Sequence, residues 1–417
     1  MTATADPPRE AFRLGMLLSD TRYRSITIQI IVLALVVLGF AWLVDNTIRN
    51  LEQLGKGFSF AFLWAQSNYD INQKLIAYDS TSTHARAAAV GILNTLLLAV
   101  LGCATATIIG ILAGVLRLSR NWLVGRLMTV YVEGFRNVPL LLWILLIAAA
   151  VNETLPPPSA FRGENATAQM LWGSVALTNR GFYIPEPMFS RSLGDLSVFG
   201  LFNISLDFMA ILGALIAGIW ASARVGDWAT RRQFETGVRP AVFWPRLGLV
   251  VLPPLAVLVA LGFHLVPPEL RGFNFRGGIH MRDSLIAMWV ALSLYTGAFI
   301  AEIVRGGILA VPHGQTEAAY SLGLGPTLTM RLVILPQALR VIIPPLISQY
   351  LNLTKNSSLA IAVGYMDVTG TLGGITLNQT GREMECLLLL MAFYLIVSLT
   401  ISAVMNAYNQ RVKLKER

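Results

Sequence analysis

Eight stretches of this chain are long and apolar enough to constrain everything else about its fold. A helix that spans a bilayer needs about 20 mostly apolar residues. Such runs lie at about Ile26–Val44, Val90–Leu116, Val138–Val151, Leu206–Ala223, Leu247–Val266, Ser284–Val304, Ala338–Leu353 and Cys386–Ala407. Backbone polar groups in hydrocarbon must bond within their own segment, so each run reads as a helix. The expected fold class is an all-α polytopic membrane protein with about 8 transmembrane helices. The third run is short, and a broken helix that begins before Pro139 would complete it. Pro253-Pro254 and Pro344-Pro345 predict kinks in the fifth and seventh. Leu359–Val363 is too short to span and reads as a re-entrant or interfacial piece.

Composition agrees. Only 13% of residues are charged, against roughly a quarter in soluble proteins. The net charge of +9 does not point to nucleic acid, because the basic residues cluster in particular loops between the apolar runs. Cys103 and Cys386 both sit in apolar runs without metal-ligand spacing, and the four histidines form no cluster. His264, near the end of a run, is expected at a membrane interface. The N-terminal residues are polar and no small-residue cleavage site follows the first run, which is therefore expected to remain as an anchor.

Lysine and arginine placement sets orientation. Arg9, Arg13, Arg22 and Arg24 precede the first run, and Arg117, Arg120, Arg126 and Arg136 follow the second. Arg224, Arg231, Arg232, Arg239 and Arg246 separate the fourth from the fifth. Arg305, Arg331 and Arg340 follow the sixth, and Arg411, Lys413, Lys415 and Arg417 end the chain. This bias puts both termini in the cytoplasm. The long loops at about 45–89 and 152–205 then face outside. The second contains Pro156-Pro157-Pro158 and scattered Gly, Ser and Asn, and is expected to form an ordered or semi-ordered cap with turns. Asp207, at the edge of a span, is expected at the interface.

One cytoplasmic loop is unusually structured. Glu317, Ala318 and Ala319 are expected to open a helix, with the carboxylate in the first turn, where the helix dipole favours it. Small alanines admit another surface. Gly323 and Gly325 end or bend that helix, Pro326 reinforces the break, and Leu335-Pro336 starts the next one. A short helix across the membrane face, joined by a turn to a span, can transmit a push. An ordinary loop is the competing reading. Nowhere does a G-x-x-x-x-G-K-[ST] phosphate loop occur, and Gly55-Lys56-Gly57 lacks its partners. The chain carries no enzyme signature.

The ordered motifs decide between those readings. Tyr295-Thr296-Gly297-Ala298-Phe299-Ile300-Ala301-Glu302-Ile303-Val304-Arg305-Gly306-Gly307 runs into Val311-Pro312-His313-Gly314-Gln315-Thr316-Glu317-Ala318-Ala319. Leu322-Gly323-Leu324, Leu335-Pro336-Gln337-Ala338-Leu339-Arg340, Ile343-Pro344-Pro345 and Lys355-Asn356-Ser357-Ser358-Leu359 follow in order. Upstream stand Asn94-Thr95-Leu96 and Val132-Glu133-Gly134-Phe135-Arg136-Asn137-Val138-Pro139. Together they resemble the permease subunits of polar amino acid ABC importers, the histidine/glutamine-type family. The resemblance covers roughly 90–150 and 284–410.

Compact members of that family have about five spans. Here 1–89 adds an N-terminal tail, a span and an external loop, 151–283 is an insert with an external loop and two extra spans, and 411–417 is a short tail. An even number of added spans in the insert preserves the orientation of the second half. The long form resembles the larger permeases of general L-amino acid importers and implies the type I ABC importer fold in a bacterial inner membrane.

The resemblance implies site residues. Glu317, Ala318, Ala319, Gly323 and Leu324 would form the coupling helix that sits in a groove of the ATPase. Arg136, Asn137 and Pro139 would lie at a helix break near the transport path, or form only a structural kink. Lys355, Asn356 and Ser358 would contact substrate or a partner permease, or form an interfacial polar cap. Glu302 and Arg305, spaced i,i+3, can pair at the cytoplasmic end of their span, against the alternative of facing a water-filled path. The implied partners are an ABC ATPase dimer, a second and related permease, a periplasmic binding protein, an L-amino acid and the lipid bilayer. No nucleic acid is implied. No cofactor is expected on this chain, since ATP and Mg would sit on the ATPase. The rival function is an ion-coupled secondary transporter or channel, which would need a midplane ion site and has no use for the 317 loop.

Overall fold

The computed structural model describes residues 21–53, 55, 57–163, 166–198 and 202–412. Arg9, Arg13, Lys413, Lys415 and Arg417 lie outside them. The chain divides into two units, Met1–Phe62 and Leu63–Arg417. The first contains one long helix, α1 (Thr21–Gln53), whose polar end carries an Arg49–Asp45 pair at 2.8 Å.

The second unit is built on α2 (His84–Leu116), α3 (Trp122–Asn137), α4 (Leu140–Thr154), α5 (Leu206–Thr236), α6 (Phe243–Ala260) and α7 (Asp283–Leu309). It continues with α8 (His313–Ser321), α9 (Pro326–Thr329), α10 (Leu335–Asn356), α11 (Leu377–Thr380) and α12 (Glu383–Val412). Among the described residues eight helices are long and apolar enough to cross a membrane, one for each expected run.

The core lies where α2, α4, α7 and α10 meet. Leu98 and Ala106 of α2 pack with Ile144, with Leu285, Met288, Leu292 and Ile300 of α7, and with Ala338, Ile342 and Leu353 of α10. The helices approach closely because small residues face the contacts. Across α2 and α7, a Cβ on Gly110 would stand 2.5 Å from the Ile300 side chain. Close approach of this kind is how helices associate in lipid, where no hydrophobic drive brings them together.

Several boundaries differ from the expected ones. The fifth span ends at Ala260, not Val266: Gly262 takes φ +67°, and Phe263–Val266 leaves the helix as strand β6. The expected break at Pro139 is present: the helix Trp122–Asn137 precedes the third span, and the extended backbone of Val138 and Pro139 separates the two. Leu359–Val363 is no separate re-entrant piece. It belongs to a tight 3₁₀ stretch, Ser357–Val363, that prolongs α10 until Gly364 turns left-handed at φ +73°. Helix α1 ends at Gln53, α2 begins at His84 and α4 ends at Thr154, so the loops expected at about 45–89 and 152–205 are shorter than expected.

Residues 151–283 add β-structure that the all-helical expectation did not contain. Strands β1 (Ala176–Thr178), β2 (Gly181–Ile184), β3 (Glu186–Phe189), β4 (Asp195–Val198) and β5 (Phe202–Ser205) precede α5. Strands β6 (Phe263–Val266), β7 (Glu269–Arg271), β8 (Asn274–Arg276) and β9 (Ile279–Met281) follow α6. All pairings are antiparallel. Strand β2 takes β9 in the register Tyr183↔His280, and β3 takes β6 in the register Met188↔His264. The Tyr183 and His280 rings stack at 4.1 Å, and burial holds the His280 imidazole below its ordinary pKa. The described part of the expected cap therefore carries regular structure, and β2–β9 ties residues 182–184 to 279–281. His264 falls on a strand beyond the helix. Asp207 is buried in the first turn of α5, where its carboxylate accepts from Ser192 Oγ (2.6 Å) and Leu193 N (2.8 Å) and so closes the loop before it.

Residues 63–83 cover one end of the bundle. Tyr69 and His84 converge on Thr376 Oγ1 at 3.1 and 3.0 Å. Asn94 donates to the carbonyls of Gln73 (2.7 Å) and Met366 (2.9 Å), and Tyr365 donates to the Asn94 carbonyl.

Candidate docking helix and transport path

Helix α8 contains Glu317, Ala318 and Ala319, yet Glu317 is not in its first turn as expected. The helix begins one turn earlier, at His313, directly after Pro312. Glu317 instead stands one turn along and holds His313 Nδ1 at 3.0 Å, with both side chains exposed. Ala319 is buried, which fixes the inner face; Ala318, Tyr320 and Leu322 are exposed.

The end of α8 is defined by backbone geometry. Leu324 N–H bonds the Ala319 carbonyl at 3.1 Å and Gly323 N–H bonds Tyr320 at 2.9 Å. Gly323 has φ +78°. This double closure with a left-handed glycine is a Schellman end, and the left-handed φ rather than crowding explains the glycine, since a Cβ there meets nothing within 4 Å. Pro326 then opens α9 with a proline suited to a first turn. A π-helical turn, Met330–Ile334, joins α9 to α10, so the chain is already helical before Leu335-Pro336. The next helix thus starts about two turns earlier than expected. Gln337 of α10 donates to Gln315 of α8 at 3.2 Å and couples the short helix to the span behind it.

Glu302 and Arg305 pair as their spacing predicts, with Arg305 Nη2 donating to Glu302 Oε1 at 2.6 Å. The pair is part of a wider cluster. Arg117, at the end of α2, donates through one terminal nitrogen to Glu302 Oε2 and through the other to Glu133 Oε1 of α3 at 3.0 Å. Arg136 of α3 approaches Glu302 Oε2 at 3.9 Å, and its guanidinium lies 5.5 Å from the centre of the Phe299 ring. Three arginines therefore share two carboxylates where α2, α3 and α7 meet. Arg136 Nε and Trp143 Nε1 are buried without a hydrogen-bond partner, on either side of the break before α4. Phe135 stacks on Trp143 at 4.1 Å and bridges that break.

The structure brings Arg136 into this cluster but leaves Asn137 and Pro139 exposed. Asn137 Nδ2 reaches only Glu133 Oε2 of its own helix, at 3.5 Å. Lys355 is exposed at the end of α10, and Ser358 Oγ turns back to its carbonyl at 2.9 Å. Ser357 likewise bonds the Thr354 carbonyl. The hydroxyls of this segment close a helix end, and Asn356 is half-buried beside them.

Sequence reading overlooked two groups. Arg117 ends an apolar run, and a charge there needs a partner. Asp367 is fully buried between the last two spans, accepting from Gly370 N at 2.8 Å and from Tyr394 OH at 3.4 Å. Burial pushes its carboxyl up to about 6. Among the described residues no group of three His, Cys, Asp or Glu could hold a metal ion.

The family model for the binding-protein-dependent transport system inner membrane component matches residues 214–414. Over 426 residues the chain is 57% identical to the glutamate/glutamine/aspartate/asparagine transport system permease protein of Rhodobacter capsulatus, with 100% of each chain covered. Over 410 residues it is 45% identical to the general L-amino acid transport system permease protein of Rhizobium johnstonii, covering 98% of this chain and 96% of that protein.

Proposed function

The chain belongs to the amino acid permeases of ABC importers, and on that premise we propose that it is one of two unlike permease subunits through which polar L-amino acids enter the cell. It is a multi-pass inner membrane protein. The relatives' names speak of acidic and amide amino acids in one case and of L-amino acids in general in the other, which supports polar L-amino acids as the cargo. A periplasmic binding protein delivers them, and a separate ATPase dimer binds ATP and Mg. The arginine bias supports cytoplasmic termini.

The observation that carries this reading is α8. Its Ala318, Tyr320 and Leu322 are exposed apolar side chains on a helix that also exposes Glu317, its end is fixed at Gly323, and Gln315–Gln337 ties it to α10. A groove on the ATPase that grips this helix moves a rigid lever. ATP binding closes the ATPase dimer and must favour one membrane conformation over the other by its differential affinity for the two. The Glu302 cluster supports the same picture at the other end of the lever: it joins α2, α3 and α7 by contacts that separate when those helices part. Asn137, Pro139, Lys355, Asn356 and Ser358 remain proposed contacts of the path or of the partner permease.

Mild-detergent purification of the tagged chain from its own membrane tests this. Recovery of an ATPase together with a second, related permease is the expected result. Recovery of the chain alone, still transporting or conducting after reconstitution without ATP, would replace the reading with a secondary transporter or channel.

A further inference from the structure

We propose that the cleft at the turn of the α5–α6 hairpin binds the phosphate-bearing headgroup of an anionic phospholipid. The cleft has a volume of about 550 Å³ and its lining combines the cationic Arg239 and Arg246 with the apolar Val242, Phe243 and Val250. None of its lining residues belongs to α8 or to the Glu302 cluster, and the site does not depend on the transport reading.

Arg246 is built into place. Its Nε donates to both the carbonyl (3.1 Å) and the hydroxyl (3.3 Å) of Ser222 on the facing helix. Its guanidinium lies over Gly226, where a Cβ would stand 3.2 Å from Cζ. The terminal nitrogens, the fork that recognises phosphate, have no hydrogen-bond or ion-pair partner among the described residues. Arg239 is exposed and has none either. The two helices cross closely enough to hold this arrangement, since Gly218 sits against the Leu249 carbonyl, 2.2 Å from where a Cβ would be.

The surroundings place the cleft at headgroup depth. Five arginines, Arg224, Arg231, Arg232, Arg239 and Arg246, stand in this end of the hairpin against only Asp227 and Glu235. None of the five is in an ion pair within 4.0 Å among the described residues. Trp220, Trp228 and Trp244 are exposed around them, and Arg224 lies 4.6 Å from the Trp220 ring centre. Exposed tryptophans beside arginines mark a membrane–water interface. The strands sit at the opposite end of the hairpin. Successive spans alternate in direction, which puts the turn between α5 and α6 on the same side as α8, the helix that follows α7. Both apolar and cationic walls are needed only by an amphipathic ligand; a free phosphate would leave Val242, Phe243 and Val250 unused.

The test uses the full chain with its co-purifying subunits, delipidated and then incubated with equal amounts of phosphatidylglycerol and phosphatidylcholine. Retained lipid is read by native mass spectrometry. The wild type should retain phosphatidylglycerol preferentially, and R239Q and R246Q should each reduce that retention about fivefold. Because Arg239 makes no bond, R239Q carries the test even if R246Q fails to accumulate. R276Q, on the strand end, should leave retention unchanged. Retention unaltered in R239Q, or a loss as large in R276Q, would overturn the site. Displacement of the lipid by millimolar inorganic phosphate would overturn the assignment to a phospholipid.

Discussion

Gly114 of α2 lies directly against the Ala301 carbonyl of α7: a Cβ at Gly114 would stand 2.6 Å from that oxygen. Backbone cannot yield there as a flexible side chain would. With Gly110 against Ile300, one glycine-bearing face of α2 sets how near α7 can come. Gly114→Val should therefore separate the helices or strain them. Overpacking of this kind costs about 1–3 kcal/mol, so the purified variant should unfold at a lower temperature in detergent. A variant as stable as the wild type would show that this contact does not limit the packing.

Glu302 is the shared acceptor of Arg117 and Arg305 and lies near Arg136. Glu302→Gln leaves three guanidiniums around a neutral amide, with Glu133 the one remaining carboxylate. Its side chain is 28% exposed, which places it between a buried pair and a surface pair. The expected loss is about 1–3 kcal/mol, less than a fully buried break. A double-mutant cycle with Arg117→Gln should show coupling, because both substitutions act on one contact. Strict additivity would remove Arg117 from the account.

The spans were legible because each is a run of apolar residues about as long as a bilayer is thick. What lay beyond them was not. Trp122–Asn137 is amphipathic and interrupted by Arg126, Glu133 and Arg136, so no apolar run announces it. The strands are three or four residues long, too short for alternation to announce them; β1–β2, β4–β5 and β7–β8 are local hairpins, whereas β2 with β9 and β3 with β6 pair over about 80–100 residues of chain and needed the fold. The site divides the same way. Glu302–Arg305 is a local i,i+3 pair and could be read from spacing, whereas Arg117 joins from another helix and needed the fold. In the docking segment, the glycine stop at 323 was legible, but the start at His313 was not, because Pro312 begins the helix before the alanines do.

Asp367 gives the protein a pH dependence with a definite sign. Its carboxyl is raised from an unfolded value of about 4 to about 6 by burial. The folded state therefore holds the proton more tightly than the unfolded one, and stability falls as pH rises through the window from about 4 to 6. Above that window the full cost, about 2–3 kcal/mol, is present. Asp367→Asn keeps an acceptor for Gly370 N–H and removes the titration. Thermal unfolding of the variant should lose this slope and match or exceed the wild type at pH 8. An identical slope in both proteins would assign the dependence elsewhere.

Glu317 and Gly323 test the lever from its two ends. Glu317 is exposed and pairs only with the exposed His313 of its own helix, so Glu317→Lys should leave insertion and thermal stability unchanged. It reverses the charge on the exposed surface of α8, and should reduce ATPase association or substrate-stimulated hydrolysis together with uptake. Gly323→Ala acts differently. There is room for its Cβ, but φ +78° is unfavourable for it by about 1–2 kcal/mol, so the helix end should shift rather than the surface change charge. That variant should retain ATPase binding while transporting less per ATP hydrolysed. Normal uptake in Glu317→Lys would remove this helix from the coupling route, and full coupling in Gly323→Ala would show that its end need not be rigid.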